Sequence, residues 1–449
     1  MTPILAKPPR RKSRRRSGQA LLIALGVTLI LVSILTVTAS SQRTAMQAQS
    51  ARMSQRRTSL IARSAAELAI QYLMEGKSGI SGTTSAASTS TSTSTVTTTV
   101  TTLTDDWATL GDTGAVKFVV GSDSFRMQVV DTCSLMDINQ TTPAQLVTMG
   151  LTQEQADCIN DYRTAGETPA ADGAKDSYYN GLANPYNAKL ANFDTLDELL
   201  LVKGITPDVL YDPQTSTGTV TLQTLTNGAT PALYDLCTAY AYAPNTTATG
   251  GTRVNVNTST AAQLVQRGIS PTLAALLRPA GGRPTTWTSL GQIFTTLGGN
   301  LSQADQRAIL NNLTVTAATQ QEGALNINTA SQNVLMTVPG ITSDIATAIV
   351  AQQQSGFSTL GAIVSVPGIS TRVLGTLANR ISIASTSFEA RIVATAGSTQ
   401  TAYIAIVQVT AGVPKIVSIS PAPFSAAQMI SRWGWESDTT SETDLVQSS

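Results

Sequence analysis

The chain has 449 residues, enough for about three domains of ordinary length. Only 13% of them are Asp, Glu, Lys or Arg and none is His, which removes the commonest general base and metal ligand, and with them enzymes of the Ser-His or Cys-His type. The net charge of +1 hides an asymmetry, since residues 1–134 hold 15 basic against 7 acidic side chains and residues 135–449 hold 14 against 21.

Lys7, Arg10, Arg11, Lys12, Arg14, Arg15 and Arg16 precede Ser17-Gly18-Gln19, and no further charge occurs before Arg43. The apolar run from Ala20 to Ala39 is about the twenty residues a bilayer requires, and the basic cluster before it holds that end in the cytoplasm. Residues 19–40 are therefore expected to cross a membrane, with everything after Ser41 outside the cytoplasm. A cleaved secretory signal carries its small-residue site after the apolar core, whereas Gly18 stands before it. Further on, Leu60, Ile61, Ala65, Leu68, Ala69, Tyr72 and Leu73 recur at helical spacing until Gly76 and Gly79, which predicts one long helix over 19–80.

A basic leader, a Gly and then an apolar helix resembles the type IV prepilin class. The resemblance implies a leader over 1–18 that prepilin peptidase removes after Gly18, leaving Gln19 as the first mature residue. The fifth mature position, glutamate in most of that class, is Ile23 here. A carboxylate in hydrocarbon is costly unless paired, so an apolar Ile23 suits a subunit with no neighbour ahead of it, at a filament tip, or else a protein that never assembles.

Residues 81–104 are almost entirely Ser and Thr and read as a linker. Within 105–134, Val116 to Val120 and Phe125 to Val130 have strand composition around a Gly121-Ser122-Asp123-Ser124 turn. Strand signals return only at Phe388 to Ala394, Tyr403 to Val409 and Lys415 to Ile419. This predicts one antiparallel sheet whose last strands lie in 385–420, interrupted by an inserted α-domain over 135–384, with 421–449 as a C-terminal tail.

The insertion repeats. Asp137-Ile138-Asn139, Asn255-Val256-Asn257 and Asn326-Ile327-Asn328 each lead, seven positions past the last Asn, to Leu146, Leu264 or Leu335, and then to a turn at Gly150, Gly268 or Gly340. A second half-unit begins at Phe193, Trp287 or Phe357 and reaches Gly204, Gly298 or Gly368 eleven residues later. A capped short helix, a glycine turn and a second helix begun by Thr or Ser resemble the helix-hairpin-helix motif in its doubled form. Three such units are expected at 137–210, 255–313 and 326–380. In the first the aromatic stands 54 positions after the Asn, against 30 and 29 in the others.

Helix-hairpin-helix turns often present amides to phosphate, so a DNA receptor is one reading. Its affinity would come from Lys and Arg, yet only Lys203 and Arg267 stand at the six turns, and the acidic balance argues against nucleic acid. Catalysis finds no support either. Glu75-Gly76-Lys77-Ser78 ends like a phosphate loop, but the first Gly of that motif is replaced by Gln71. Cys133, Cys158 and Cys237 lack metal spacing.

Together with the stem, the run Val129-Val130-Asp131-Thr132-Cys133-Ser134-Leu135-Met136-Asp137-Ile138-Asn139 and the stretches Ala171-Asp172-Gly173-Ala174-Lys175-Asp176-Ser177-Tyr178-Tyr179 and Phe193 to Gly204 resemble the general secretion pathway protein K family, minor pseudopilins of type II secretion. The resemblance implies an α+β, pilin-like fold at the tip of a periplasmic pseudopilus. There the chain would join other minor pseudopilins, prime assembly of the major pseudopilin and help export folded proteins. A minor subunit of a type IV pilus remains the alternative, beside the pilin-anchored DNA receptor. Members of the family also bind calcium, which takes about six to eight oxygen ligands. Asp172 and Asp176 lie in the matching loop, but Lys175 stands where the family carries an acidic residue, so the two aspartates are either calcium ligands or solvated loop residues.

Overall fold

The computed structural model describes residues 17–77, 100–212, 231–279, 285–410, 412–436 and 441–445. Residues 1–16 of the expected leader and residues 81–99 of the expected linker lie outside them. The chain divides into two units, Met1–Arg57 and Thr58–Ser449.

Helix α1 runs Ser17–Lys77, starting two residues earlier than the sequence pattern predicts, and residues 78–80 of the predicted helix lie outside the described residues. Its portion in the first unit is long and apolar enough to cross a membrane, and its Leu, Ile and Val side chains from Leu21 to Val37 are exposed. The hydroxyls of that stretch are satisfied within the helix: Thr28 donates to Leu25 O at 2.8 Å, Ser33 to Ile30 O at 2.8 Å and Thr38 to Ile34 O at 2.9 Å. Back-bonding of this kind lets Ser and Thr sit in hydrocarbon without an orphaned donor.

The second unit is built on a six-stranded sheet made of β1 (Val116–Val120), β2 (Asp123–Asp131), β3 (Ser387–Ala396), β4 (Thr399–Thr410), β5 (Val413–Pro421) and β6 (Ser441–Asp444), in the order β5-β4-β3-β2-β1-β6. All pairs are antiparallel except β1 with β6. Ile61, Ala62, Ala65, Ala66, Ala69 and Leu73 of α1 share one apolar core with Phe125, Met127, Phe388, Ala390 and Ala405 of the sheet. Four alanines on the helix, facing alanines on the strands, allow the two layers to approach closely, and Thr58 and Tyr403 exchange a buried hydrogen bond of 3.0 Å.

The C-terminal tail expected over 421–449 is in part ordered structure. Helix Ala426–Arg432 brings Met429, Trp433 and Trp435 onto the other face of the sheet with Val393 and Ala402, and Trp435 donates to Gln128 Oε1 at 3.1 Å. The physical reason is an apolar stripe, Ala426-Met429-Ile430-Trp433, at helical spacing. Residues 132–386 form the insertion, leaving β2 at Asp131 and returning to β3, where Asp131 pairs with Phe388.

Candidate functional site

Each inserted unit opens with a two-residue strand and closes with another parallel to it: Met136–Asp137 with Cys237–Thr238, Val254–Asn255 with Leu313–Thr314, and Leu325–Asn326 with Ile381–Ser382. The first unit thus closes at Thr238 rather than at 210, because its returning strand lies beyond a further helix, Leu233–Leu236, that follows the two helical hairpins. After each opening strand the first residue of the triplet turns the chain. Asp137, Asn255 and Asn326 accept through Oδ1 from the amide of Asn139, Asn257 and Asn328 at 2.7, 2.9 and 3.0 Å. Three residues after each of these asparagines, Thr142, Thr260 and Ser331 cap a helix through their hydroxyls.

The last Asn of each triplet clamps the two half-units. Asn139 accepts from Phe193 N at 2.7 Å and donates to Phe193 O at 3.1 Å. Asn257 does the same to Trp287 at 2.8 and 2.8 Å, and Asn328 to Phe357 at 2.7 and 3.2 Å. A side-chain amide reciprocally paired with one backbone residue pins the start of the second half-unit against the first, while the aromatic ring drops into the core. Glycine occupies a left-handed backbone at all six hairpin turns, with φ from 32° at Gly298 to 103° at Gly150. Five of the six second helices are capped by a Thr or Ser side chain; Thr206 makes no such bond.

The second and third units pack reciprocally. Asn379 accepts from Leu290 N at 2.9 Å, and Asn311 from Gly361 N at 2.6 Å. A Cβ at Gly291 would lie 2.1 Å from Gly375 O, so the crossing of Leu290–Leu297 with Thr371–Leu377 admits no side chain there. The first unit touches the third through Arg380, which donates to Gln145 Oε1 at 2.6 Å. One apolar cluster runs through all three units.

The insertion joins the sheet through Asp131. Its carboxylate is buried and accepts from Thr329 Oγ1 at 2.6 Å, Ser385 Oγ at 2.7 Å, Cys133 N at 2.8 Å and Asn326 Nδ2 at 2.9 Å. Burial pushes this acid upward and the four donors pull it down, leaving a net rise. Asp137 is pushed up to about 7, mainly by burial. A second tie runs from the C-terminal helix, where Arg432 pairs with Asp235 at 2.8 Å and donates to Tyr211 O at 2.9 Å.

Of the residues singled out from sequence, Gly18 and Gln19 fall in the first turns of α1 and Ile23 is an exposed position on it. Asp172 and Asp176 lie in the extension of the first unit, over residues 164–192. Asp172 is exposed and its backbone carbonyl accepts from Cys158 Sγ, whereas Asp176 starts helix Asp176–Tyr179 and accepts from Ala188 N at 2.7 Å. Among the described residues no group of three or more His, Cys, Asp or Glu is placed to hold a metal ion. The three cysteines are free and buried, and burial pushes the Cys158 thiol up to about 11. The turn cations are engaged within the fold: Lys203 pairs with Glu154 at 2.9 Å and lies 5.0 Å from the Tyr178 ring, and Arg267 reaches Thr252 O at 3.4 Å.

The sequence reading missed the closing strands, the Asp131 junction and the C-terminal helix. Asp131 was visible within the Val129-to-Asn139 run, but its partners come from residues about 200 and 250 positions away, beyond any local pattern. Residues 142–212 match the family model described as Type II secretion system (T2SS), protein K, and residues 320–382 match the helix-hairpin-helix motif. A chain in the crystal structure of the GspK-GspI-GspJ complex from the type 2 secretion system of enterotoxigenic Escherichia coli is similar at 10% identity and a TM-score of 0.47, over 84% of this chain and 99% of that one. No curated protein matches the sequence.

Proposed function

We infer from the match of residues 142–212 to the type II secretion protein K model that this chain is a protein of that family and works as a minor pseudopilin at the tip of the pseudopilus. In this reading prepilin peptidase cuts after Gly18, residues 19–40 anchor the chain in the inner membrane, and the sheet and insertion stand in the periplasm. The chain then joins other minor pseudopilins, primes assembly of the major pseudopilin and helps folded proteins across the outer membrane. Its role is structural, and no residue is given a catalytic part.

The observation that carries the tip position is the insertion of residues 132–386 between neighbouring strands β2 and β3, a load that a cap tolerates and a repeating subunit of a thin filament does not. Ile23 supports it, since an apolar fifth residue makes no demand on a subunit ahead. Against the DNA-receptor reading, both basic turn residues already have partners in the fold, and the helix-hairpin-helix match at 320–382 covers turns that read Val338-Pro339-Gly340 and Val366-Pro367-Gly368, with no cation.

The test is co-purification of the full-length protein in detergent with the other minor pseudopilins of the same organism, with duplex DNA binding measured in parallel. A stable complex without DNA affinity is the expected result. Salt-sensitive DNA binding with no pseudopilin partner would overturn the reading. Gly18→Leu should leave an unprocessed precursor in the membrane fraction, seen as a slower band on a gel.

A further inference from the structure

The extension of the first unit holds a charge that the rest of the fold would not tolerate without partners. Lys175 is only 4% exposed, and its ammonium donates to two backbone carbonyls, Asp161 O and Thr164 O, each at 2.5 Å. Both acceptors sit at the end of helix Gln153–Arg163, where carbonyls lack helical partners and carry the negative end of the dipole. Around this point the loop is tightly drawn. The Asp161 carboxylate accepts from Ala170 N at 2.8 Å, and a Cβ on Gly173 would lie 1.8 Å from Asp161 Oδ2. The far end is tied by Ala188 N on Asp176 Oδ1 and by Leu190 N on Tyr162 O at 2.8 Å.

We propose that the Lys175 ammonium is the resident cation of this loop, satisfying inward-pointing carbonyls that a divalent ion would otherwise collect, so that the extension holds its shape without calcium. The donor set does not fit a dication. Calcium seeks backbone carbonyls and carboxylates together, but here two carbonyls already receive a fixed positive charge, Asp176 spends an oxygen on Ala188 N, and Asp172 is exposed. A second cation brought to the same carbonyls would meet the ammonium a few ångströms away and be repelled. Covalent attachment also makes the cation independent of the ion content of its surroundings. The inference stands on the loop alone and does not depend on the tip reading; failure of the co-purification experiment would leave it untouched.

Hydrogen exchange on the full-length protein in detergent tests it, read at the amides of Ala170, Gly173, Ala188 and Leu190. With millimolar calcium or with EGTA the protection of these amides is expected to agree within about twofold. A tenfold gain in calcium would overturn the proposal. Lys175→Met should lower their protection at least tenfold with or without calcium, and unchanged protection would equally overturn it. Should Lys175→Met fail to fold, the wild-type comparison in calcium and EGTA decides, together with Lys175→Arg, which keeps a buried cation and should retain protection in EGTA.

Discussion

The first and third inserted units answer the same geometric demand with different charge. In both, the leading residue of the triplet accepts the amide two positions on, at 2.7 Å in the first and 3.0 Å in the third, a task that Asp and Asn perform equally well. Their remaining atoms diverge. Asp137 turns its other oxygen toward Ala241 N at 3.3 Å, while Asn326 donates to the Asp131 carboxylate, to Thr101 O and to Ser385 Oγ. The repeat therefore fixes a turn and leaves one atom per unit free for local use; in the third unit that atom fastens the insertion to the sheet.

Exchanging the two residues breaks the comparison most sharply. Asn326→Asp would set a second carboxylate against Asp131 in a buried site, with an expected cost on the order of 4 kcal/mol near neutral pH that eases as acid protonates one of the pair. Thermal unfolding of the full-length protein across pH reads it, and a pH-independent loss would refute the like-charge account. Next comes the clamp itself. Asn328→Ala strands the buried N–H and C=O of Phe357, for an expected ~2–3 kcal/mol, and denaturant unfolding should show a similar loss for Asn139→Ala.

Asp137→Asn sharpens the difference in pH response. An acid raised to about 7 in the folded state, against an unfolded value near 4, binds more protons folded than unfolded between those limits. Its contribution therefore makes stability fall as pH rises from about 4 to 7 and level off above. Asp137→Asn should reduce that slope while keeping the turn, leaving the share that the raised acid Asp131 contributes; a slope unchanged by the substitution would assign it to another group. The smallest effect is expected at Asn257→Ala, about 1 kcal/mol by the same measurement, because the middle clamp is half-buried and water can replace part of it.

Much of this was legible in the chain. The apolar stem, the strands at 116–130 and 388–419, and the three triplets with their aromatics and glycines are local patterns with periods of two, of three to four, or of fixed spacing. The Asn-to-aromatic spacing announced a relation whose nature it concealed, since the bonds run from the Asn side chain to the backbone of Phe193, Trp287 and Phe357 and leave no mark on the identity of those residues. Two-residue closing strands such as Cys237–Thr238 are too short to alternate, so the end of the first unit was unreadable. The helix at 426–432 did leave a stripe, outweighed by the polar residues that follow Trp435. At the candidate site, Gly18, Gln19 and Ile23 are legible as positions. The burial of Lys175 is not, because its acceptors are backbone carbonyls and any residue supplies those.

The return of the chain from Asp131 to Phe388 across residues 132–386 also sets a timetable. Strands β2 and β3 cannot pair until the whole insertion has been synthesised, and closing so long a loop is slow unless its interior has already condensed. The three units, each sealed by its own Asn clamp and parallel pair, are expected to gain protection in pulse-labelled refolding before the amides of β3 do. The sheet would then be the last part to be completed in every newly made copy.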